Sequence, residues 1–358
     1  MDKTGKTSKI FRKQPAMRRV LLAMLPCIAG AVYFFGWRSL FIVAFSAAVG
    51  FIVELIFTRF RSEPVSEAVF VTTTIFALIM PPTISLHVLT IGIVFAVMFT
   101  KEVFGGFGRN IFNPALAGRC FVYICFPVAL TATWSPAASG VWGALDRWTT
   151  ASDATSGGAS GGTDAVTSAT PMAYLKAGNI VIGSGENAVT KVPFDIEKNQ
   201  VVTIGKSTLL KGLFFGRISG TMGVTSALLI LIGGIYLFVT KTASRTIILS
   251  VVIAYAVINQ MLFLAGVEPV PGALVAVLGG GFLFGTFFMA TDPISSPRTE
   301  PAKIIYGIII ALCTTIIRNF STFNGGLMFS ILIGNMFAPI LDYTVQSIRA
   351  GKKSEKKK

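Results

Sequence analysis

Ten apolar runs alternate with short polar breaks along this chain, at 19–35, 39–58, 68–80, 85–100 and 114–132, then at 222–240, 246–264, 272–290, 304–318 and 327–343. Their length and lack of charge predict membrane helices. Between the fifth and sixth runs lies the long polar segment 133–221, with Ser, Thr, Gly and Asp crowded at 149–170. The two groups of five share a layout, because the third run of each stops early. Run 68–80 gives only about 20 Å of helix at 1.5 Å per residue and ends at Met80-Pro81-Pro82-Thr83, while run 272–290 ends at Thr291-Asp292-Pro293. Five is odd, so a duplicated half must insert the opposite way round. The expectation is an all-α polytopic membrane protein of about ten transmembrane helices, built as two inverted five-helix repeats with broken helices. Non-helical backbone at membrane depth is tolerated only against protein or a water-filled cavity. The breaks therefore either mark a cofactor or ion path or are loop prolines at the interface.

Composition agrees with this reading. The chain is 53% hydrophobic and 13% charged, where a soluble domain carries about a quarter charged residues. The net charge of +15 does not point to nucleic acid, because Lys and Arg cluster at the chain ends and in short loops. With the N-terminus inside, Arg59, Arg61, Lys101, Arg109, Lys241, Arg245, Arg298 and Lys303 fall on the inner side, and the short outer loops keep Arg38 and Arg318. The long segment holds seven basic and six acidic residues, a balance that does not oppose export. The expected organisation is a cytoplasmic basic arm at 1–18, a first repeat at 19–132, an extracytoplasmic loop at 133–221, a second repeat at 222–343 and a cytoplasmic basic tail at 344–358. Residues 21–27 resemble a lipoprotein signal ending at Cys27, but Pro26 and the later runs favour an uncleaved first helix. Cys27, Cys120, Cys125 and Cys313 all lie in apolar runs without a Cys-x-x-Cys pair, which argues against an iron-sulfur or zinc site. His87, the only histidine, reads as an interfacial residue near a helix end.

Three features carry candidate chemistry. The loop from Lys101 to Arg119 holds Gly105, Gly106 and Gly108, then Asn110 and Asn113. The glycines allow a sharp turn and the amides offer donors and acceptors to a heteroaromatic edge; equally, Asn113 caps a helix begun by Pro114. Glu54, Asp292 and Asp342 are acids in or at the ends of runs, hence candidates for ion handling. Their plainer readings are pairing of Glu54 with Arg59, capping of a short helix by Asp292, and a headgroup position for Asp342. The third feature is Asp164-Ala165-Val166-Thr167-Ser168-Ala169-Thr170, a polar heptad inside what is otherwise a Ser/Thr/Gly linker.

Taken with Phe70 to Arg119, with Phe287-Phe288-Met289-Ala290-Thr291-Asp292-Pro293 and with Asn335 to Asp342, the chain resembles a family: the B subunit of the sodium-translocating NADH:quinone oxidoreductase (Nqr) and the D subunit of the Rnf complex. The resemblance runs along nearly all ten runs. It implies that Asp164, Thr167, Ser168 and Ala169 belong to a flavin-transferase recognition motif, and that FMN is esterified through its phosphate to Thr170. It further implies a noncovalent riboflavin at Asn110 and Asn113, and links Glu54, Asp292 and Asp342 to cation uptake. The partners it implies are a second FMN-bearing subunit, two small helical membrane subunits, a peripheral NADH-oxidising unit with iron-sulfur clusters, a flavin transferase and membrane lipid. A quinone site near Gly50 to Glu54 follows only for an Nqr assignment, and Phe51 departs from the paired glycine usual there. The Gly-rich loop and the Ala-Thr-Asp-Pro run favour Nqr; the short basic arm and Ala169-Thr170-Pro171 favour Rnf. The implied function is a flavin-carrying subunit of a redox-driven Na+ or H+ pump in a bacterial inner membrane. The rival is a secondary transporter or channel with the same inverted repeats and no redox role.

Overall fold

A computed structural model describes residues 11–131, 134, 137–138, 142–145, 148, 171–182, 201–321, 323 and 325–355. Each of the ten apolar runs holds helix. In the first group these are α1 (Pro15–Phe35), α2 (Arg38–Phe60), α3 (Ala68–Leu78), α4 (Leu86–Val97) continuing into a π-helical turn at Met98–Glu102, and α5 (Pro114–Cys125), followed by the short α6 (Pro127–Thr131). In the second group they are α9 (Ala227–Val239), α10 (Arg245–Leu264), α11 (Ala273–Leu278), α12 (Phe282–Phe284) with a π-helical turn at Gly285–Met289, α13 (Glu300–Phe320) and α14 (Gly326–Glu355). Between the groups, α7 (Pro171–Lys176), the parallel strands β3 (Ile180–Ile182) and β4 (Val202–Ile204), and α8 (Lys206–Phe215) form a small lobe. Its core of Tyr174, Ile180, Ile204, Leu209 and Leu213 rests on Val275 of α11. A second parallel pair joins β1 (Phe11–Arg12) to β2 (Val65–Ser66).

Among the described residues, five helices are long and apolar enough to cross a membrane: α1, α2, α10, α13 and α14 up to Gly351. Their outer faces carry large exposed apolar side chains, among them Ile52, Ile56, Ile253, Val257 and Leu312. An apolar surrounding, lipid or neighbouring membrane subunits, makes such faces favourable, since exposing them to water costs free energy in proportion to their area. The protein is thus a helical integral membrane protein. Helices approach closely through small residues: a Cβ at Gly233 would lie 2.0 Å from the Ala23 carbonyl, and one at Gly118 would lie 2.9 Å from that of Gly92. The two groups share part of their neighbour pattern. In the first, α2 packs on α3 and α4, and α4 on α5; in the second, α10 packs on α11 and α13, and α13 on α14.

The break after α3 is buried. Backbone N–H groups of Gly223 and Met222 donate to the carbonyls of Leu78 (2.8 Å) and Met80 (3.1 Å), and the Arg38 guanidinium donates to the carbonyls of Pro82 and Ile84. The carbonyls orphaned by the helix end thus find donors far along the chain, as a low-dielectric setting requires. The run 272–290 departs from expectation, because it is not continuous up to Thr291. Gly279, Gly280 and Gly281 interrupt it between α11 and α12, with φ of +57° at Gly280 and +70° at Gly281. Two successive left-handed residues end a helix, and glycine alone adopts them without strain.

Candidate functional site

Two cavities lie where the groups of helices meet. The smaller, about 80 Å³, is walled by Lys101, Asn110, Asn113, Phe287, Phe288 and Asp292, with α1 and α3 closing it. The larger, about 140 Å³, is walled by Arg119 and Tyr123 of α5, Pro171 and Met172 of α7, Ser219 to Thr221, Gly280 and Gly281, and Arg318 of α13.

Beside the smaller cavity each charge has a counter-charge within the chain, although Glu102 Oε1 is buried without a hydrogen-bond partner among the described residues. The π-helical turn at Met98–Glu102 widens the helix and brings Lys101 and Glu102 inward together, 2% and 3% exposed. Lys101 Nζ donates to Glu54 Oε2 at 2.5 Å, and the other Glu54 oxygen accepts from the Ser66 N–H at 2.9 Å. Lys101 also lies 3.9 Å from Glu102, whose second oxygen pairs with Arg61. Two carboxylates thus meet two cations. The expected partner of Glu54, Arg59, is not used; it is exposed, and five residues along a helix place it about 140° round the axis. The glycine loop turns as its composition predicts, with φ of +101°, +91° and +96° at Gly105, Gly106 and Gly108. Arg61 packs against the bare Cα of Gly106, where a Cβ would stand 2.9 Å from its Nη2.

Asn113 is the cap that its position before Pro114 suggests. Its Oδ1 accepts from the N–H groups of Ala115 (3.1 Å) and Leu116 (3.4 Å), while Nδ2 donates to the Met289 carbonyl at 3.2 Å. One side chain therefore starts α5 and fastens it to the π-helical turn of the other group. Asn110 donates locally, to the Phe112 carbonyl. Asp292 caps a turn and not the short helix expected after Pro293: it accepts from Ser295 Oγ at 2.8 Å and from the Ile294 N–H at 3.4 Å. Asp342 is no free headgroup residue. It accepts from the N–H groups of Arg298 (2.8 Å) and Thr299 (2.9 Å) and from Thr299 Oγ1 (2.7 Å), closing the start of α13. Among the described residues, no group of Cys, His, Asp and Glu could hold a metal ion.

The larger cavity is different. Among the described residues, Arg119 Nε and Arg318 Nη2 are buried without a hydrogen-bond partner, and no carboxylate lines the cavity. Arg318, expected in an outer loop, is 7% exposed inside α13, with Nη1 donating to the Tyr255 hydroxyl (3.0 Å) and the Ala276 carbonyl (3.1 Å). Gly280 makes room for it, since a Cβ there would lie 2.0 Å from Nη2. The heptad from Asp164 to Thr170 falls outside the described residues. Pro171, bonded to Thr170, is described and lines this cavity. Guanidinium donors beside Tyr123, Trp134 and Phe284 suit a ligand with an anionic group and a planar apolar part. Both arginines escape a search of the apolar runs that is restricted to acids. Arg119, a cation near the start of run 114–132, is the signal that could have found the site.

Comparison with known proteins places these features in a family. Relatives named as the B subunit of a Na(+)-translocating NADH-quinone reductase include those of Azotobacter vinelandii, 34% identical over 89% of this chain and 68% of the relative, and of Pseudoalteromonas atlantica, 36% identical over 85% and 66%. That of Haemophilus influenzae is 33% identical over 88% of this chain and 67% of its own length. The chain thus spans about two thirds of the length of these relatives. The model of the NQR2, RnfD, RnfE family matches residues 7–351, and the chain belongs to that family.

Proposed function

We propose that the chain is the membrane subunit of an ion-translocating oxidoreductase, in which electrons pass through FMN esterified at Thr170 while Na+ or H+ crosses the bilayer. Bound FMN supplies reversible one- or two-electron transfer. The observation that carries the reading is the convergence of family membership with the larger cavity, whose wall includes the residue next to Thr170. The names of the relatives favour an Nqr-type assembly over an Rnf-type one. The partly repeated neighbour pattern of the two helix groups supports ten spans arranged as two repeats; with the N-terminus inside and the repeats inverted, the larger cavity would lie toward the outer side and the smaller toward the inner.

The chain's own residues divide the work. Arg119 and Arg318 present unsatisfied donors to an anion, while Tyr123, Trp134 and Phe284 exclude water from a flat ring. A noncovalent riboflavin in the smaller cavity would meet Asn110, Phe287 and Phe288, because both ends of the Asn113 amide are spent on protein. Of the three acids, Asp292 faces that cavity, Glu54 is neutralised by Lys101, and Asp342 caps α13. Cation passage therefore falls first to Asp292.

Expression with and without a flavin transferase, followed by a denaturing gel under ultraviolet light, tests the reading. A fluorescent band that needs the transferase and disappears in Thr170→Ala is expected; a dark band in the fully supplied sample refutes it. Membranes that couple NADH to quinone reduction identify an Nqr-type assembly, whereas exchange between NADH and ferredoxin identifies an Rnf-type one.

A further inference from the structure

The larger cavity holds two arginines from opposite halves of the chain and no described carboxylate to balance them. Burying even one cation unpaired is costly, because the lost hydration must be replaced by an equal electrostatic gain. Elsewhere the chain meets this demand: buried Lys101 has Glu54, and half-buried Arg61 has Glu102. Arg318 in particular is held fast. Tyr255 and Ala276 fix one of its nitrogens, Gly280 is bare so that the guanidinium fits, and its Nη2 is left without an acceptor among the described residues. Arg119 leaves its buried Nε in the same condition. The hydroxyl-bearing segment Thr221 to Thr225 borders the same space.

We propose that Arg119 and Arg318 form a subsite for a phosphoryl group in the larger cavity, with Thr221 and Thr225 as supporting donors. Guanidinium forks match phosphoryl oxygens in geometry and charge better than any other side chain. Pro171, the residue that follows Thr170 in the sequence, lines the cavity, so a phosphoester at Thr170 is the source of phosphoryl group nearest to it along the chain. That source of the phosphoryl group rests on the flavin reading given above; a phospholipid headgroup is the other source.

Thermal unfolding of the full chain in detergent tests the subsite. Chain made without the transferase is titrated with inorganic phosphate, FMN, riboflavin and a short-chain phosphatidylglycerol. Phosphate and FMN should each raise the unfolding temperature of the wild type, and riboflavin, which lacks the phosphate, should not. Arg119→Gln should weaken the apparent affinity for phosphate about tenfold. Arg318→Lys retains the charge without the fork and keeps the test open if more drastic changes at Arg318 prevent folding; it should weaken phosphate binding less than Arg119→Gln. Chain carrying covalent flavin should no longer respond to phosphate if the tether supplies the group. A persistent response, together with phosphatidylglycerol stabilisation lost in Arg119→Gln, assigns the subsite to lipid. No phosphate response in the wild type, or an undiminished one in both variants, overturns the proposal. A dark gel band with an intact phosphate response defeats the flavin reading and leaves the subsite standing.

Discussion

The two cavities handle charge in opposite ways. Around the smaller, Glu54, Lys101, Glu102 and Arg61 neutralise one another within the chain; around the larger, Arg119 and Arg318 have no described carboxylate to meet. Burial makes the contrast informative. A charge in low dielectric must be compensated, so a closed network marks a place where the fold completes itself, and an open one marks a place that something else completes.

The strongest way to break the comparison is Lys101→Met. It strips Glu54 of its cation and Glu102 of one of two, and should destabilise the detergent-solubilised protein by about 3–5 kcal/mol in thermal or chemical unfolding. Adding Glu54→Gln should restore much of the loss; a single variant as stable as wild type would mean that the smaller site is not self-neutralised. On the other side, Gly280→Ala forces a left-handed residue and pushes a methyl group into Arg318. About 1–2 kcal/mol of strain is expected, with loss of the phosphate-induced rise in unfolding temperature as the sharper readout. Asn113→Ala removes a cap and the tie between the two helix groups, at about 1 kcal/mol or somewhat more. Asn113→Asp keeps the cap and loses only the donor to Met289, so comparing the two by unfolding midpoint separates capping from bridging.

The smallest effect tests whether pairing at the surface resembles pairing in the interior. Hydrogen bonds from Arg18 and from the Gln14 N–H hold the Glu67 carboxyl below the ordinary carboxylate range. Its contribution is present above the unfolded pKa and is lost as pH falls through the lowered folded value. Glu67→Gln should therefore lower stability slightly at neutral pH, leave it unchanged in acid below the lowered folded pKa, and so flatten the acid side of the stability profile, an outcome read from unfolding midpoints across pH at fixed salt.

Much of the architecture is legible along the chain. Apolar runs mark the helices, Pro81 and Pro82 mark the first break, and Asn113 before Pro114 marks a helix start, because each depends on propensities within a few residues. The Gly279-Gly280-Gly281 break is written there too, although apolarity alone reads that stretch as unbroken. The charge partners are not legible. Glu54 and Lys101 are 47 positions apart, and Asn113 and Met289 are 176 apart; such pairs are selected by which helices pack together.

Local pattern, then, carried the membrane class, the helix positions and the family motifs, since hydrophobicity and capping act over one or two turns. Packing alone assigned Lys101 to Glu54, turned Arg318 inward against Gly280, and left two guanidinium groups facing one cavity. The physical reason is that electrostatic pairing in low dielectric is set by distance and burial, and neither quantity exists until the two halves of the chain have met.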